Sequence, residues 1–446
     1  MALCRGKGEG KSAPCSCIPF ALFDLFLKPY ALLKIGAYLE ENGYDVHLIN
    51  CLDYRDEESL RTMRSPNRRE NGTGKFFRQR AETPEILSGY GKYLFRYGIS
   101  EESFEAKLRA FGKKPDIVLV SSGMTYWYPG VREAVEKVRK VWPDAKVAVG
   151  GIYATLMPEH CERVVAPDFV IRGDAQGEKG LNYVFGKLGL PLCTGSWRDT
   201  MMLHPVLKDA AVIRINRGCP YSCHYCASAC ISSFEPGSGE KAFQELLRIH
   251  GKYGTLNFAF YDDALLINKE NIFVPFLEMV EKSGLKFNFY LPNALHLDRL
   301  DYETASLMYR CGFREIRGGF ESSDVKFHET NDNKLNLGTF GEKVDMLFRS
   351  GFTKENLGIY VLAGLPGQHA EEVEASIRYL AGFGLRGNIA EFSTVPGTEV
   401  WKECVKKSIF PLESEPVCHN NSIFPMQWEG FTMEDMARLK RLSKTL

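Results

Sequence analysis

The sequence predicts two successive α/β domains: a doubly wound parallel sheet, then an incomplete parallel barrel of six strand–helix units. Three observations lead there. Two series of short apolar strands alternate with helical segments, and alternation of this kind marks parallel sheets covered on both faces. A patternless stretch at 191–210 separates the two series and reads as a linker. The chain has 446 residues, too many for one compact core.

The front domain is expected over 18–190. The first sixteen residues are rich in Gly and Lys and read as irregular. Cys17–Leu27 is apolar but broken by Pro19 and Asp24, and reads as a buried entry to the fold rather than a signal peptide. Pro29 suits a first helical turn, and the helix through Tyr38 stops at Gly43. Tyr44–Asn50 follows as a strand. Residues 55–112 form a long polar insertion, functional or disordered. Alternation resumes with strands Ile117–Ser122, Lys146–Gly151 and Phe169–Arg172, each running into a helix. In such sheets ligands bind beyond the carboxyl ends of the strands. Those ends carry Ser121, Gly123, Gly150, Gly151 and Gly173. Glycines there either let backbone approach a bulky ligand or simply make tight turns.

The barrel is expected over 211–400, with a tail at 401–446. Ala211–Asn216 is its first strand. Leu256–Tyr261, Phe287–Leu291, Glu315–Gly319, Gly358–Ala363 and Ile389–Thr394 are the next five. Helical segments between them include 271–282, 302–311, 340–349 and 371–381. Functional groups of such barrels gather at the carboxyl-end face.

The first barrel strand runs straight into Arg217-Gly-Cys-Pro-Tyr-Ser-Cys-His-Tyr-Cys-Ala227. Cys219, Cys223 and Cys226 are separated by three and then two residues. Gly218 and Pro220 favour an irregular loop. Soft thiolates select zinc or iron–sulfur clusters, and a cubane held by three cysteines leaves one iron uncovered. A Cys4 zinc site recruiting Cys230 is the competing arrangement, but zinc ribbons pair two Cys-x-x-Cys knuckles and only one compact group exists here.

Cys219-x-x-x-Cys223-x-Tyr225-Cys226 resembles the signature of the radical S-adenosylmethionine superfamily. The resemblance implies a [4Fe-4S] cluster on the three cysteines, S-adenosylmethionine on its fourth iron, and Tyr225 beside the adenine. It also implies one-electron cleavage of the sulfonium, giving a 5′-deoxyadenosyl radical, with an electron donor such as flavodoxin or ferredoxin. Later segments match in order. Asp262 and Asp263 end the second strand and resemble an acidic pair that receives the cosubstrate's ammonium group or the substrate; capping a helix is the alternative. Gly319-Phe-Glu-Ser-Ser323 is similar to the segment near the ribose, with Glu321 as an acceptor or else a solvated charge. Gly364-Leu-Pro-Gly367 resembles the glycine-rich turn beside the adenine, and Val395-Pro-Gly-Thr398 the closing turn.

The front domain resembles the cobalamin-binding domain that precedes many such barrels, through Lys28–Leu33, Asn42–Val46 and Gly150–Thr155. It departs from that pattern in two places. The usual first strand is missing or degraded before Lys28, and no Asp-x-His-x-x-Gly motif offers a histidine to cobalt. Tyr126, Trp127 and Tyr128 either wall the corrin or substrate or pack in the core.

The resemblance implies a cobalamin-dependent radical S-adenosylmethionine enzyme acting on a small molecule, with methyl transfer to an unactivated carbon as the expected reaction. A radical reaction without cobalamin and a zinc-stabilised binding protein are the alternatives. Thirteen cysteines without a secretory signal suit a reducing, cytoplasmic setting. No apolar run spans a membrane. Lys+Arg equals Asp+Glu at 56 each, so no global field favours nucleic acid, and the sequence presents no clear nucleic-acid surface.

Overall fold

The computed structural model describes residues 2–5, 27–71, 73–88, 90 and 93–446. The chain divides into two compact units, Met1–Lys208 with Ser414–Val417, and Asp209–Glu413 with Cys418–Leu446. Among the described residues no helix is long and apolar enough to cross a membrane.

The front unit holds a five-stranded sheet: β1 (Ala2–Arg5), β2 (Asp45–Leu48), β3 (Ile117–Ser122), β4 (Val147–Gly151) and β5 (Phe169–Ile171), in the order β2-β1-β3-β4-β5. The β3, β4 and β5 strands are parallel, with Ser121 opposite Gly150 and Gly150 opposite Ile171. Two expectations are corrected. Residues 1–16 are not wholly irregular, because Ala2–Arg5 inserts antiparallel between β2 and β3 and makes the sheet mixed. Four residues are too few to leave a periodic signal, yet they satisfy the backbone groups of two neighbouring strands. The apolar stretch at 17–26 lies outside the described residues.

The second correction concerns 55–112, which is built rather than loose. It contains helices Glu57–Thr62 and Glu101–Ala110 and a hairpin of Arg78–Arg80 with Phe95–Tyr97. Ser100 caps the second helix by accepting from the Ser103 N–H, and Phe104 and Leu108 are fully buried beneath it. Phe104 and Leu108 are the only buried apolar residues of that helix, so its sequence looks polar.

The second unit is a six-stranded parallel sheet in strict chain order: β6 (Ala211–Ile213), β7 (Asn257–Phe260), β8 (Asn288–Tyr290), β9 (Phe313–Glu321), β10 (Leu357–Ala363) and β11 (Gly387–Glu391). Helices Gly239–Tyr253, Phe273–Ser283, Tyr302–Cys311, Phe340–Arg349 and Ala370–Ala381 connect them. Its core is aromatic. Phe260 stacks on Phe313 with centroids 5.6 Å apart and meets Phe273 and Phe276 edge-on. Each such buried ring contributes about 1.5–3 kcal/mol, which makes a stiff base for the loops at the strand ends. All six strands point the same way, so the groups after β6, β7, β9 and β10 share one face.

Candidate functional site

The cysteine loop is pinned at both of its roots. The Arg217 N–H donates to Glu235 O (3.0 Å), the Glu235 N–H donates back (2.8 Å), and their side chains pair at 3.0 Å. Gly218 has φ +66°, and a Cβ there would lie 2.4 Å from Ser233 O, so only glycine fits that crossing. From β7, the buried Asp262 carboxylate accepts from the N–H groups of Ile215 (3.1 Å) and Asn216 (2.6 Å). Burial outweighs these two bonds and pushes its carboxyl up to about 7. Asp263 pairs with Arg214 at 2.6 Å. Neither aspartate caps a helix, since the next one begins at Phe273 after Ile272. Asp262 thus ties the exit of β6 to the end of β7.

Within the loop Cys219, Cys223 and Cys226 are partly exposed, and Cys230 is exposed. Burial pushes the Cys223 thiol up to about 12, with Lys334 pulling it the other way, and also raises Cys219. Thiols in that state become ligands when a metal displaces their protons. Among the described residues no three His, Cys, Asp or Glu side chains converge on one ion position. The donor set fits a cubane, in which each thiolate takes a separate iron.

Beside the cysteines lies a buried charged network. Tyr225 donates its hydroxyl to Asp332 Oδ2 (2.8 Å), and burial holds the phenol firmly protonated. Asp332 Oδ1 meets His328 Nδ1 at 3.0 Å, while His328 Nε2 lies 2.9 Å from Ser322 O. Lys334 Nζ donates to Glu321 Oε1 (3.0 Å), stands 4.0 Å from Asp332 and lies 5.5 Å from the centre of the Tyr225 ring. Burial works against the Lys334 ammonium, but Glu321 and then Cys223 and Asp332 outweigh it and keep it charged. Burial likewise works against the Asp332 carboxylate, and His328, Lys334 and Tyr225 together hold it ionised.

Glu321 is therefore not a solvated charge. It is 8% exposed and sits at φ +63°, where the register between β9 and β10 shifts. A non-glycine residue there stores about 1–3 kcal/mol of strain, which the Lys334 pair helps to hold. After β10, Gln368 Oε1 accepts from the N–H groups of Gly364 (2.7 Å) and Leu365 (3.2 Å), and Gly367 completes that turn. The face thus brings together Cys219, Cys223, Cys226, Tyr225, Asp262, Asp263, Glu321, Gly364 and Gly367. Sequence reasoning missed Asp332, Lys334 and His328. The one available signal was the His328–Asp332 spacing of four on a helix.

At the front sheet the strand ends are crowded by their own neighbours. A Cβ on Gly151, which has φ +100°, would lie 2.2 Å from Ser122 O. One on Gly123 would meet the Trp127 ring at 2.3 Å. Ser121 and Gly150 are paired across β3 and β4. For Gly123 and Gly151 the tight-turn reading holds, whereas Gly173 has nothing within 4 Å of a Cβ and faces open space. Tyr128 is buried, with its hydroxyl donating to Glu415 at 3.2 Å. The Trp127 indole N–H is buried and has no acceptor among the described residues. A buried donor without an acceptor at the strand ends suits a ligand rich in amide and phosphate acceptors, which a corrinoid is.

Comparison with known proteins follows this division. Residues 92–179 match the family model described as the B12 binding domain, the span that holds Ser121, Gly123, Gly150, Gly151 and Gly173. An uncharacterised methyltransferase of Pyrococcus horikoshii is 24% identical over 379 residues, covering 76% of this chain and 77% of that one. The radical S-adenosylmethionine methyltransferase TsrM of Kitasatospora setae, solved with tryptophan substrate and a S-adenosylmethionine analogue, superposes with a TM-score of 0.65 at 14% identity. That match covers 96% of this chain and 88% of TsrM. The cobalamin-dependent S-adenosylmethionine radical enzyme OxsB gives 0.57 at 13% identity, covering 98% of this chain and 61% of OxsB. The chain has the fold of these enzymes, a cobalamin-binding-like domain followed by a radical S-adenosylmethionine barrel.

Proposed function

We propose that this chain, built on that two-domain fold, is a cobalamin-dependent radical S-adenosylmethionine enzyme that transfers a methyl group to an unactivated carbon. When bound, the cluster would supply the electron that cleaves the sulfonium, and the corrinoid would supply a methyl carrier. Cys219, Cys223 and Cys226 would hold the cluster and leave its fourth iron open. Lys334 offers a fixed positive charge beside the thiolates. Tyr225 lines the same face with its ring, held by Asp332. The second oxygen of Glu321 is available to a hydroxyl or ammonium of the cosubstrate. The aromatic base beneath these loops excludes water from the strand ends, which protects a radical from quenching. Trp127 and Gly173 would meet the corrinoid in the front unit.

The observation that carries the reading is the three-cysteine loop set against the buried Lys334–Glu321–Asp332–Tyr225 network on the carboxyl-end face. Anoxic protein incubated with a reductant, S-adenosylmethionine and methylcobalamin should release 5′-deoxyadenosine and retain corrinoid absorbance through desalting. Trp127→Phe should weaken that retention about fivefold to tenfold, the worth of one hydrogen bond. A second reading follows from the crowding at Gly123 and Gly151, which leaves less room for a corrin. In that case 5′-deoxyadenosine appears without any corrinoid retention, and the reaction is a radical rearrangement rather than methylation.

A further inference from the structure

We propose that the arginine-rich hairpin of the front unit is a binding surface for single-stranded nucleic acid. The chain as a whole is neutral, yet residues 61–80 carry seven basic side chains and one acidic one. Arg64, Arg69, Lys75, Arg78 and Arg80 are exposed, and none of them pairs with a carboxylate among the described residues. Like charges gathered without counter-ions repel one another and oppose folding. A cluster of this kind in an otherwise balanced chain points to an anionic partner.

The cluster sits on a built support. The Arg69 N–H donates to Thr73 O (2.7 Å) and the Lys75 N–H to Asn67 O (2.9 Å), which closes the 67–75 loop. The Gly98 N–H donates to Phe77 O at 2.9 Å, and Leu52, Phe76 and Tyr97 form a buried cluster beneath the hairpin. The cations are interleaved with rings. Arg68 lies 4.0 Å from the centre of the Tyr54 ring, Arg78 lies 4.7 Å from Phe95, and Arg80 lies 3.7 Å from Tyr93. Residues 78 and 80 fall on one face of their strand, about 6.8 Å apart; Arg78 rests on Phe95 of the partner strand and Arg80 on Tyr93 just before it.

Three features select the class of partner. Six of the seven basic residues are arginine, whose planar fork of donors matches a phosphate, whereas lysine acts as a point charge. Stacking on rings fixes the Arg68, Arg78 and Arg80 guanidinium groups beforehand, so less side-chain freedom is lost on binding. The rings themselves, such as the 57%-exposed Tyr93, offer bases a platform. Anionic membranes are instead met by basic clusters on an amphipathic helix or next to a membrane span, whereas these cations lie on a loop and a hairpin.

The test uses the full-length protein as purified anoxically and a fluorescein-labelled RNA of mixed sequence, about 16 nucleotides long. Fluorescence anisotropy should show saturable binding at low salt, with log affinity falling linearly against log salt by about 0.7 per phosphate contacted. The triple variant Arg69→Gln, Arg78→Gln, Arg80→Gln should lose at least about tenfold in affinity and flatten that slope by about 2. Its far-UV spectrum should match the unsubstituted protein and its thermal midpoint should not fall, because all three side chains are exposed and their mutual repulsion is relieved. The pair Arg78→Lys, Arg80→Lys should keep the slope yet bind more weakly, since charge remains and the fork is gone. No binding at low salt, or equal binding by the triple variant, overturns the proposal. So does polyglutamate, or a phosphatidylserine vesicle, displacing the RNA as well as unlabelled RNA does. Binding needs no catalysis, so this result stands or falls independently of the proposed reaction.

Discussion

The two sets of strand ends differ in how their polar groups are used. At the barrel face nearly every charged side chain is committed to another: Lys334 to Glu321, Asp332 to Tyr225 and His328, Asp263 to Arg214, and Asp262 to the root of the cysteine loop. At the front sheet Gly123 and Gly151 are filled by their own neighbours while Gly173 is open, and among the described residues the Trp127 indole N–H is a buried donor without an acceptor. A site built for charge is assembled before its ligand arrives. A cradle built for shape is mostly absence of side chain, and only an orphaned donor betrays it.

The sharpest way to break this contrast is to remove the thiols. Cys219→Ala, Cys223→Ala or Cys226→Ala should each abolish cluster iron and 5′-deoxyadenosine formation, while corrinoid retention by the front unit should persist. Loss of both properties together would mean the two regions are not separable. Next in size is the charge network. Lys334 is 11% exposed at its side chain, so Lys334→Met leaves Glu321 buried without its cation. It should cost about 3–5 kcal/mol in urea unfolding, with Lys334→Arg recovering part of that loss. A cost below about 1 kcal/mol, the value of an exposed pair, would show that the network is solvated after all.

The glycines sharpen the front side of the comparison. Gly151→Ala meets both a positive φ and a carbonyl at 2.2 Å, and should cost at least about 2 kcal/mol. Gly173→Ala meets only its φ of +66°, and should cost about 1 kcal/mol. Equal losses in thermal melts of the two variants would erase the distinction between a filled turn and an open cradle.

The smallest effect concerns pH. Burial alone would lower His328, but its bonds to Asp332 and Ser322 outweigh this and raise it. A raised histidine contributes stability that is full below its unfolded value near 6.5 and fades as pH rises through the folded value. Asp332 is lowered, so its share is present above about 3.9 and fades as pH falls through the folded value. The advantage of unsubstituted protein over His328→Asn should therefore be widest between about pH 4 and 6.5, at about 1–2 kcal/mol, and should shrink on the alkaline side. An advantage that grows with pH contradicts the assignment.

Much of the barrel was legible because periodicity and motif agree there. Tyr302–Cys311 and Phe340–Arg349 match the predicted helices, and the cysteine loop follows the first strand as its spacing requires. Local signals stop where burial is tertiary. Lys334 reads as an ordinary polar turn residue, and nothing nearby in sequence says that Glu321, thirteen positions away, will enclose it. Asp262 looked like a ligand or a helix cap because its partners, the Ile215 and Asn216 amides, lie 47 and 46 positions back. The strand at Ala2–Arg5 and the helix at Glu101–Ala110 were hidden for the opposite reasons: the first is too short to show a period, the second too polar on its outer face.

The open corner of the cluster is the central claim, and electron paramagnetic resonance of the reduced protein tests it most directly. Anoxic material with about four iron and four sulfide per chain should give a reduced-cluster signal that changes on addition of S-adenosylmethionine, because on the proposed reading the cosubstrate would bind the iron that no cysteine covers. One zinc without sulfide, or a cluster signal that the cosubstrate leaves untouched, would contradict the account.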